Sequence, residues 1–323
     1  MKKTIFNNRK RRRQCIFYIC LIIIPLIQFF VMYVCVNLRS VLFAFQKYNY
    51  ETGAYDFNFM YTIDNLKRIY EDLIANPAMW NCWRNSIIYY LFGLLVTTPV
   101  SLMMAYFVYK KTLFSKVFRV VLYLPSMVCG FATILSFKYI FSYALPNLFP
   151  EWEMLSYKGG LFTNPDVIFV TLTLYHAWIG LGGGLVMNMA LMSRTSPELV
   201  EAAKIDGVNF FQEFRHIVWP VVYPVVTIGL YTGIVGIFAG GPPLYEFFGS
   251  NAPQESWTIG YYFFTKVVGS KATASEYPYA ATANLLFTLI AVPIVLFLKY
   301  LFEKYDPNEE RIPNRRKQKN EKE

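Results

Sequence analysis

The residues whose types and spacing are most specific lie in one polar segment of an otherwise apolar chain. The segment reads Glu201-Ala202-Ala203-Lys204-Ile205-Asp206-Gly207 and continues with Phe214, Ile217, Pro220 and Pro224. The alanines give a helix a slim face that can lie in a groove of another protein, and Glu201 can offer its carboxylate to a basic group there. These residue types fit either recognition of a partner by a short helix or an amphipathic surface hairpin between spans with no special role.

Local capping signals predict the bounds of two helices in this segment. Ser196-Pro197 is typical of a helix start, with an oxygen cap and a proline at the first helical position. Asp206-Gly207 is typical of a helix end, because glycine can take the left-handed conformation of a C-terminal cap. Asn209 with Gln212 resembles a capping box that opens a second helix over Phe210–Val218. Residues 193–220 are therefore predicted to form a helical hairpin.

Long apolar segments must position this hairpin. The chain is 55% hydrophobic and 16% charged, and its apolar residues are clustered rather than alternating, which excludes an ordinary soluble domain and a membrane barrel. Crossing a hydrocarbon core takes about 20 apolar helical residues. Six segments approach that length: Ile16–Leu38, Ser86–Tyr109, Val120–Phe141, Val167–Ala190, Val221–Ala239 and Ala280–Leu298. The predicted fold is an all-α integral membrane protein with six transmembrane helices.

These spans divide the chain into a basic tail (1–15), a first span (16–38), an extracytoplasmic loop (39–85), a core of five spans (86–302) and a charged tail (303–323). A cleaved secretion signal is the alternative for the first segment. Its apolar stretch is longer than a signal core, and no small-residue cleavage site follows Leu38, which favours an uncleaved span.

Three further elements are expected outside the spans. Asn76-Pro77 predicts a turn before an interfacial helix that ends at Trp80, Trp83 and Arg84. The loop 240–279 is expected to hold a re-entrant or interfacial element at Trp257–Phe264. The charged, proline-interrupted tail from Asp306 is expected to be disordered.

The distribution of basic residues predicts the orientation. If the N-terminus is cytoplasmic, the inside segments carry 22 of the 31 Lys and Arg residues. The loop 110–116 contributes three lysines and contains no acidic residue to balance them. By the positive-inside rule, both termini and the hairpin are predicted to be cytoplasmic in a multi-pass membrane protein.

Several classes of function are disfavoured. The net charge of +10 comes from basic residues beside span ends, where attraction to membrane lipid explains them without nucleic acid. Five cysteines (Cys15, Cys20, Cys35, Cys82 and Cys129) show no paired metal spacing, and only Cys82 is expected in an outside loop, so neither a metal site nor a disulfide framework is predicted. No GxxxxGK[ST] phosphate loop is present, which excludes an ATPase site, and no cofactor is expected.

The polar segment resembles the EAA coupling motif of permease subunits of binding-protein-dependent ABC importers. The sugar-importer branch often reads EAAxxDGxxxxxxFxxIxxPxxxP, and every fixed position of that string is met here. One departure is Trp219, where many relatives have leucine. Weaker similarities at Asn85-Ser86, Arg119–Pro125 and Tyr279–Ala281 extend the resemblance over roughly residues 75 to 300. The nearest relatives by this resemblance are six-span sugar permeases of the ABC importer type I fold.

The resemblance implies an ATP-driven importer of a sugar or oligosaccharide, with this chain as a permease subunit. Its implied partners are a second permease subunit, a cytoplasmic ABC ATPase dimer and an extracytoplasmic solute-binding protein. The residues implied to couple to the ATPase are Glu201, Ala202, Ala203, Asp206, Gly207, Phe214, Ile217 and Pro220.

Polar side chains inside the apolar segments are candidates for the substrate pathway. A histidine or amide within a span is costly in lipid and is often functional. The candidates are His176, Trp178, Asn188, Tyr245 and Asn284. His176 also fits a purely structural bond to a neighbouring helix. The glycine run 180–184 fits either a kink or close helix packing, and packing is favoured.

Two alternatives from other classes remain at this point. A secondary carrier or channel for a polar solute would span the membrane equally well. Ion-coupled carriers, however, usually place ionisable groups inside their spans. No Asp or Glu lies inside the six predicted spans, which counts against such a carrier. A membrane-embedded enzyme ranks last, because the chain offers neither an intramembrane acid nor a His/Cys metal cluster.

Overall fold

The computed structural model describes residues 2–152, 160–269 and 272–307. Within them the chain forms two compact units, one of residues 2–70 and 273–286 and the other of residues 71–272 and 287–307. The charged tail expected to be disordered lies mostly outside the described residues. Helices dominate both units.

The first unit begins with one long helical run. It consists of α1 (Lys2–Phe29), a π-helical segment (Phe30–Cys35) and α2 (Val36–Phe43). Its most apolar stretch has none of its residues buried. An apolar helix exposed over its whole length is what a lipid-facing or partner-facing span requires, and the predicted first span lies inside this run.

A small hairpin and a helix follow, which the sequence analysis did not anticipate. Strands β1 (Gln46–Asn49) and β2 (Ala54–Phe57) pair antiparallel, and α3 (Phe59–Ala75) comes next. The first turns of α15 (Glu276–Lys304) also belong to this unit. Arg68 on α3 pairs with Glu276 at 2.7 Å and lies over the ring of Tyr279, which joins α3 to α15.

The second unit contains the remaining helices. Before the polar hairpin these are α4 (Pro77–Phe92), a π-helical segment (Gly93–Thr97), α5 (Thr98–Tyr109), α6 (Ser115–Met127), α7 (Gly130–Tyr139), a π-helical segment (Ile140–Ala144), α8 (Leu145–Leu148), a 3₁₀ turn (Gly160–Phe162) and α9 (Ile168–Met192). After it come α10 (Pro197–Ile205), α11 (Phe210–Glu213), a π-helical segment (Phe214–Val218), α12 (Trp219–Ala239), α13 (Leu244–Phe248), a 3₁₀ turn (Gln254–Ser256) and α14 (Ile259–Val268).

Five helical runs of the described residues are long and apolar enough to cross a membrane. They are Arg12–Phe43, Met79–Tyr109, Ile168–Met192, Phe210–Phe248 and Glu276–Lys304. A sixth is obtained when Ser115–Met127 and Gly130–Leu148 are taken together. The all-α membrane fold with up to six spans is therefore confirmed.

The third predicted span, Val120–Phe141, is wrong as a single straight helix. The chain bends by 104° between α6 and α7. Val128 and Cys129 adopt ψ angles of 147° and 128°, which are extended rather than helical. Proline at 125 removes a helical donor and Gly130 favours the helix poorly, so the continuity of apolar residues did not guarantee continuity of the helix.

The interfacial helix expected at 76–84 is also corrected. The helix that begins at Pro77 continues through α5 to Tyr109, so Trp80 and Trp83 belong to the same run as the second span. Trp83 packs edge-on against Phe238 and Phe287. Cys82, expected in a loop, is fully buried in α4.

Helix α9 lies at the centre of this unit. Its first half contributes to one core cluster, formed by Tyr89, Ile134, Phe137, Phe162, Ile168, Leu172, Tyr175, Leu244, Phe247, Ala252 and Tyr261. Its second half contributes to another, formed by Leu102, Ala105, Tyr106, Leu185, Met192, Val218 and Val222. A Cβ on Gly182 would lie 2.6 Å from the Leu122 carbonyl oxygen, and one on Gly184 would lie 2.5 Å from Ser101 Oγ. The glycine run thus serves close helix packing, and α9 continues through it unbroken.

Candidate functional site

The polar hairpin begins with α10. The C-terminal end of this helix was predicted correctly, but the predicted side-chain cap at its N-terminus is not formed. Ser196 has the extended backbone of a capping residue, but its side chain makes no capping bond. Its hydroxyl donates instead to the Glu198 carboxylate at 2.8 Å. Glu198 lies in the first turn, where the positive end of the helix dipole favours a carboxylate.

The turn after α10 is a complete Schellman motif. Gly207 has a φ of +70°, and its N–H donates to the Lys204 carbonyl while the N–H of Val208 donates to Ala203. These two bonds satisfy carbonyls that a helix end otherwise leaves unpaired. The left-handed glycine predicted at this position is present, and it sets the direction in which the chain leaves α10.

The second helix opens with the predicted capping box. The Gln212 N–H donates to Asn209 Oδ1 at 2.9 Å, and the Asn209 N–H donates to Gln212 Oε1 at 3.0 Å. The helix does not end before the fifth span, however. It passes from α11 through the π-helical segment into α12 without a break. Pro220 lies just after the π-helical segment, at the second position of α12, and it lacks the N–H that a continuous helix would bond to the preceding turn.

The residues of the predicted motif divide between an outward and an inward face. Glu201, Ala202, Asp206 and Gly207 are exposed. Four others turn toward the protein to different degrees: Ala203 and Pro220 are buried, and Phe214 and Ile217 are half-buried. The expectation that both alanines line one docking face is therefore wrong for Ala203.

The outward face carries large apolar side chains that the motif does not include. Ile205 is 86% exposed, Phe211 69% and Leu199 53%. Leu199, Ala202 and Ile205 recur at a spacing of three and share one side of α10. An exposed apolar face of this kind on a charged hairpin is typical of a protein-binding surface.

A part-buried ion pair ties the hairpin to the second span. Lys110 Nζ lies 2.9 and 2.7 Å from the two carboxylate oxygens of Glu213, and their side chains are 21% and 5% exposed. The Tyr106 hydroxyl donates to the Phe210 carbonyl nearby, and its ring packs on Phe214. The sequence analysis found no acidic residue within the loop 110–116. The acidic partner of Lys110 is Glu213, which lies 103 residues further along the chain.

A cavity of about 410 Å³ lies between α4, α9 and α12. Its lining consists of Ser86, Tyr89, Tyr90, Gly93, Leu94, Thr97, Thr98, His176, Gly180, Asn188, Val225, Val226, Gly229, Leu230, Gly233, Gly236, Gly240 and Gly241. Four glycines of α12 and its end recur at spacings of four, three and four, so one side of this helix presents bare backbone to the cavity. The Tyr90 hydroxyl donates to the Leu230 carbonyl at 3.1 Å and joins two of the walls.

Two buried hydroxyls in this cavity have no hydrogen-bond partner among the described residues. They are those of Tyr89, which is 3% exposed, and Thr97. The neighbouring Thr173 hydroxyl donates instead to the Phe169 carbonyl at 2.7 Å. Unpaired buried hydroxyls are costly, and they persist where a ligand or water bonds them.

The structure brings together two of the five predicted pathway residues. His176 and Asn188 both line the cavity. Trp178 packs on the ring of Phe137, and Tyr245 lines a separate pocket of about 210 Å³ at the end of α12. Asn284 is exposed on the part of α15 that belongs to the first unit. Tyr89, Thr97 and the glycines of α12 were missed, although the glycine spacing was visible in the sequence.

The middle of α4 holds the segment that follows α13. Asn85 Nδ2 donates to the carbonyls of Glu255 and Trp257 at 2.7 and 2.9 Å, and the Ile259 N–H donates to Ser86 Oγ. These bonds fix the start of α14, whose ten residues are too few to cross a bilayer. In the part of the chain that the structure describes, no three His, Cys, Asp or Glu side chains cluster to hold a metal ion.

Comparison with known proteins gives the family. The sequence pattern of the binding-protein-dependent transport system inner membrane components matches residues 97–308. The lactose transport system permease LacF of Rhizobium radiobacter is 25% identical over 241 residues, which are 73% of this chain and 78% of LacF. The arabinooligosaccharide permease AraP of Bacillus subtilis is 24% identical over 229 residues, 69% of this chain and 71% of AraP.

A longer relative and a solved structure agree with this assignment. The match to the maltose/maltodextrin permease MalF of Photorhabdus laumondii is 26% identical over 235 residues, 68% of this chain but 45% of MalF. A crystal structure of a bacterial ABC transporter that imports the acidic polysaccharide alginate superposes with a TM-score of 0.67 at 16% identity, covering 92% of this chain and 98% of that one. The fold is thus that of an ABC importer permease. The family pattern covers well over half of the sequence, and the chain belongs to the inner membrane components of binding-protein-dependent transport systems.

Proposed function

We propose that this chain forms part of the translocation pathway of an ATP-driven importer for a sugar or oligosaccharide. The relatives named above transport lactose, arabinooligosaccharides and maltodextrins. The cavity supports the same class of solute, since hydroxyl, imidazole and amide groups on a glycine-lined wall suit a polar, uncharged ligand. The proposed pathway residues are Tyr89, Thr97, His176 and Asn188.

The hairpin is the proposed contact with a separate cytoplasmic ATPase. The observation that carries this role is the exposed apolar face of Leu199, Ala202 and Ile205 on a rigidly capped helix. Helix-in-groove binding uses such a face, with Glu201 beside it as a carboxylate for a basic partner group. Lys110 and Glu213 then carry the movement of the hairpin to the second span.

The complete transporter is proposed to contain a second permease subunit, an ATPase dimer and an external solute-binding protein. The relatives are components of binding-protein-dependent systems, and the exposed first span supports a further subunit or lipid beside it. Both termini and the hairpin are proposed to be cytoplasmic because the Lys and Arg residues concentrate on that side.

The test is to replace one side chain of the hairpin face and measure ATPase binding. Ile205→Asp places a charge at the most exposed apolar position, so the ATPase should no longer copurify with the permease and uptake should cease. Leu113→Asp is the matched control, because Leu113 is 81% exposed outside the hairpin. Gradient-driven sugar transport by the purified chain alone would contradict the proposal and support a secondary carrier.

A further inference from the structure

A second cavity of about 410 Å³ lies beside the hairpin, at the ends of α5 and α9. Three basic side chains line it, Lys111 before α6, Arg119 on α6 and Lys204 on α10. None of the three forms an ion pair within residues 2–152, 160–269 and 272–307. Glu201 is the acidic residue of the lining, so the wall carries a net charge of about +2 at neutral pH.

The floor of this cavity contains a hydroxyl that also lacks a partner. Thr195 is 7% exposed, and its Oγ1 makes no hydrogen bond to any described residue. Its backbone N–H is satisfied by the Met192 carbonyl at 3.0 Å, so the side-chain hydroxyl is the group left over. A buried hydroxyl among unpaired cations is arranged to bind an anion that accepts hydrogen bonds.

The position of the cavity indicates which kind of anion it binds. Val108 and Met189 place its inner wall at the ends of two spans, while Lys204 places its outer wall on the hairpin. A phosphate group fits these features, because it accepts several hydrogen bonds and carries the negative charge that lysine and arginine bind. The volume leaves room for the group esterified to it.

We propose that the cavity lined by Lys111, Arg119, Lys204 and Thr195 binds a phosphate group, from either a phospholipid head group or a soluble phosphate ester. Bound phosphate bridges the turn before α6 to the hairpin helix α10. Its occupancy therefore restrains the hairpin on the side opposite the apolar docking face. Transport of a sugar is not required for this binding.

The experiment measures phosphate binding by the purified full-length chain. In the lipid arm, the protein is extracted from nanodiscs containing phosphatidylglycerol and phosphatidylcholine, and retained lipid is identified by native mass spectrometry. In the soluble arm, inorganic phosphate and glycerol phosphate are titrated onto protein in phosphatidylcholine nanodiscs, and binding is followed by calorimetry. Retention of phosphatidylglycerol alone assigns a lipid head group, and saturable binding in the second arm assigns a soluble ester.

Variants distinguish binding of phosphate in this cavity from general attraction of phosphate to basic residues on the protein surface. Arg119→Gln should weaken binding about tenfold, the loss expected for one charge-assisted hydrogen bond. Thr195→Val should weaken it by several-fold while keeping the side-chain volume. Lys116→Gln is the matched control, since Lys116 lies on the same helix, is exposed and does not line the cavity. Equal effects of Arg119→Gln and Lys116→Gln, or absence of binding in both arms, would overturn the proposal.

Discussion

Lys110 and the buried Glu213 form a part-buried ion pair, with Nζ 2.7 Å from one carboxylate oxygen and 2.9 Å from the other. Lys110 directly follows α5, and Glu213 is the last residue of α11. The pair therefore joins the second span to the helix that continues into the fifth. We expect movement of the hairpin to be transmitted to both spans through this contact.

Breaking the pair should destabilise the protein. Lys110→Met leaves the Glu213 carboxylate buried without its cation, which should lower the free energy of unfolding by about 3 kcal/mol. Thermal unfolding of the purified protein measures this, with Lys116→Met as the exposed control. The double variant Lys110→Met with Glu213→Leu should recover much of the loss, because it removes both charges. A single variant as stable as the control would show that the pair contributes nothing.

Whether a substitution at Gly207 is tolerated should depend only on how readily the new residue adopts the left-handed backbone conformation. A Cβ at this position would meet no atom within 4 Å, so the cost of Gly207→Ala is the left-handed geometry, about 1–2 kcal/mol. Gly207→Pro also removes the N–H that bonds Lys204 and should abolish uptake with insertion unchanged. Gly207→Asn should retain most uptake, since asparagine adopts this conformation more readily. Full uptake by the proline variant at matched expression would rule out a role for the turn.

The hairpin should be accessible only from the cytoplasm. Asn209→Cys, in a background where the four exposed native cysteines are replaced by serine, should resist an impermeant thiol reagent in intact cells and react after permeabilisation. Glu51→Cys, in the exposed turn between β1 and β2, should react in intact cells. The reverse pattern would invert the proposed orientation.

Filling the cavity between α4, α9 and α12 should block uptake. Gly229 lines the cavity and an added Cβ there meets no atom within 4 Å, so Gly229→Leu should place its side chain in the cavity and close it. Gly183→Leu is the control, because Gly183 is equally open but does not line the cavity. Uptake should be lost only in the first variant, while ATP hydrolysis by the assembled transporter continues. Equal uptake by both would exclude this cavity from the pathway.

The Tyr89 hydroxyl should contribute to binding of the transported solute rather than to the stability of the folded protein. Because it lacks a protein partner, Tyr89→Phe should leave the melting temperature unchanged or raise it. Uptake should nevertheless fall at subsaturating solute, as a higher KM, if the hydroxyl bonds the solute. Thr173→Val offers a comparison, since that hydroxyl already bonds its own helix. An unchanged KM in the Tyr89 variant would remove this residue from the pathway.

The parts of the hairpin that the sequence predicted are those determined by neighbouring residues. The glycine turn and the Asn209–Gln212 box each depend on contacts within a few positions, so residue type and spacing were sufficient. Membrane spans were found for a similar reason, since length and apolarity are local properties. The outline of the fold follows from these signals.

Other features depend on residues far apart in the chain and could not be predicted in this way. The partner of Lys110 is 103 residues away, and the inward face of Ala203 is set by what packs against α10. The bend at Val128–Cys129 interrupts a segment that is apolar throughout. The cavity, likewise, exists only where three helices meet, although the glycine row that forms one wall is a sequence pattern.

Because the helix from α11 into α12 is unbroken, the directions in which its side chains face around the helix axis are fixed relative to one another. Glu213 must point at Lys110, and the glycines from Gly229 onward must point at the cavity, on one continuous rotation of the backbone. Each residue of an α-helix adds about 100° of turn and about 1.5 Å of length. A one-residue insertion between these points would leave the length nearly unchanged but rotate every glycine out of the wall. The π-helical segment at Phe214–Val218 lies between Glu213 and these glycines, and its wider turn changes the rotation per residue, so it contributes to the direction in which the glycines face.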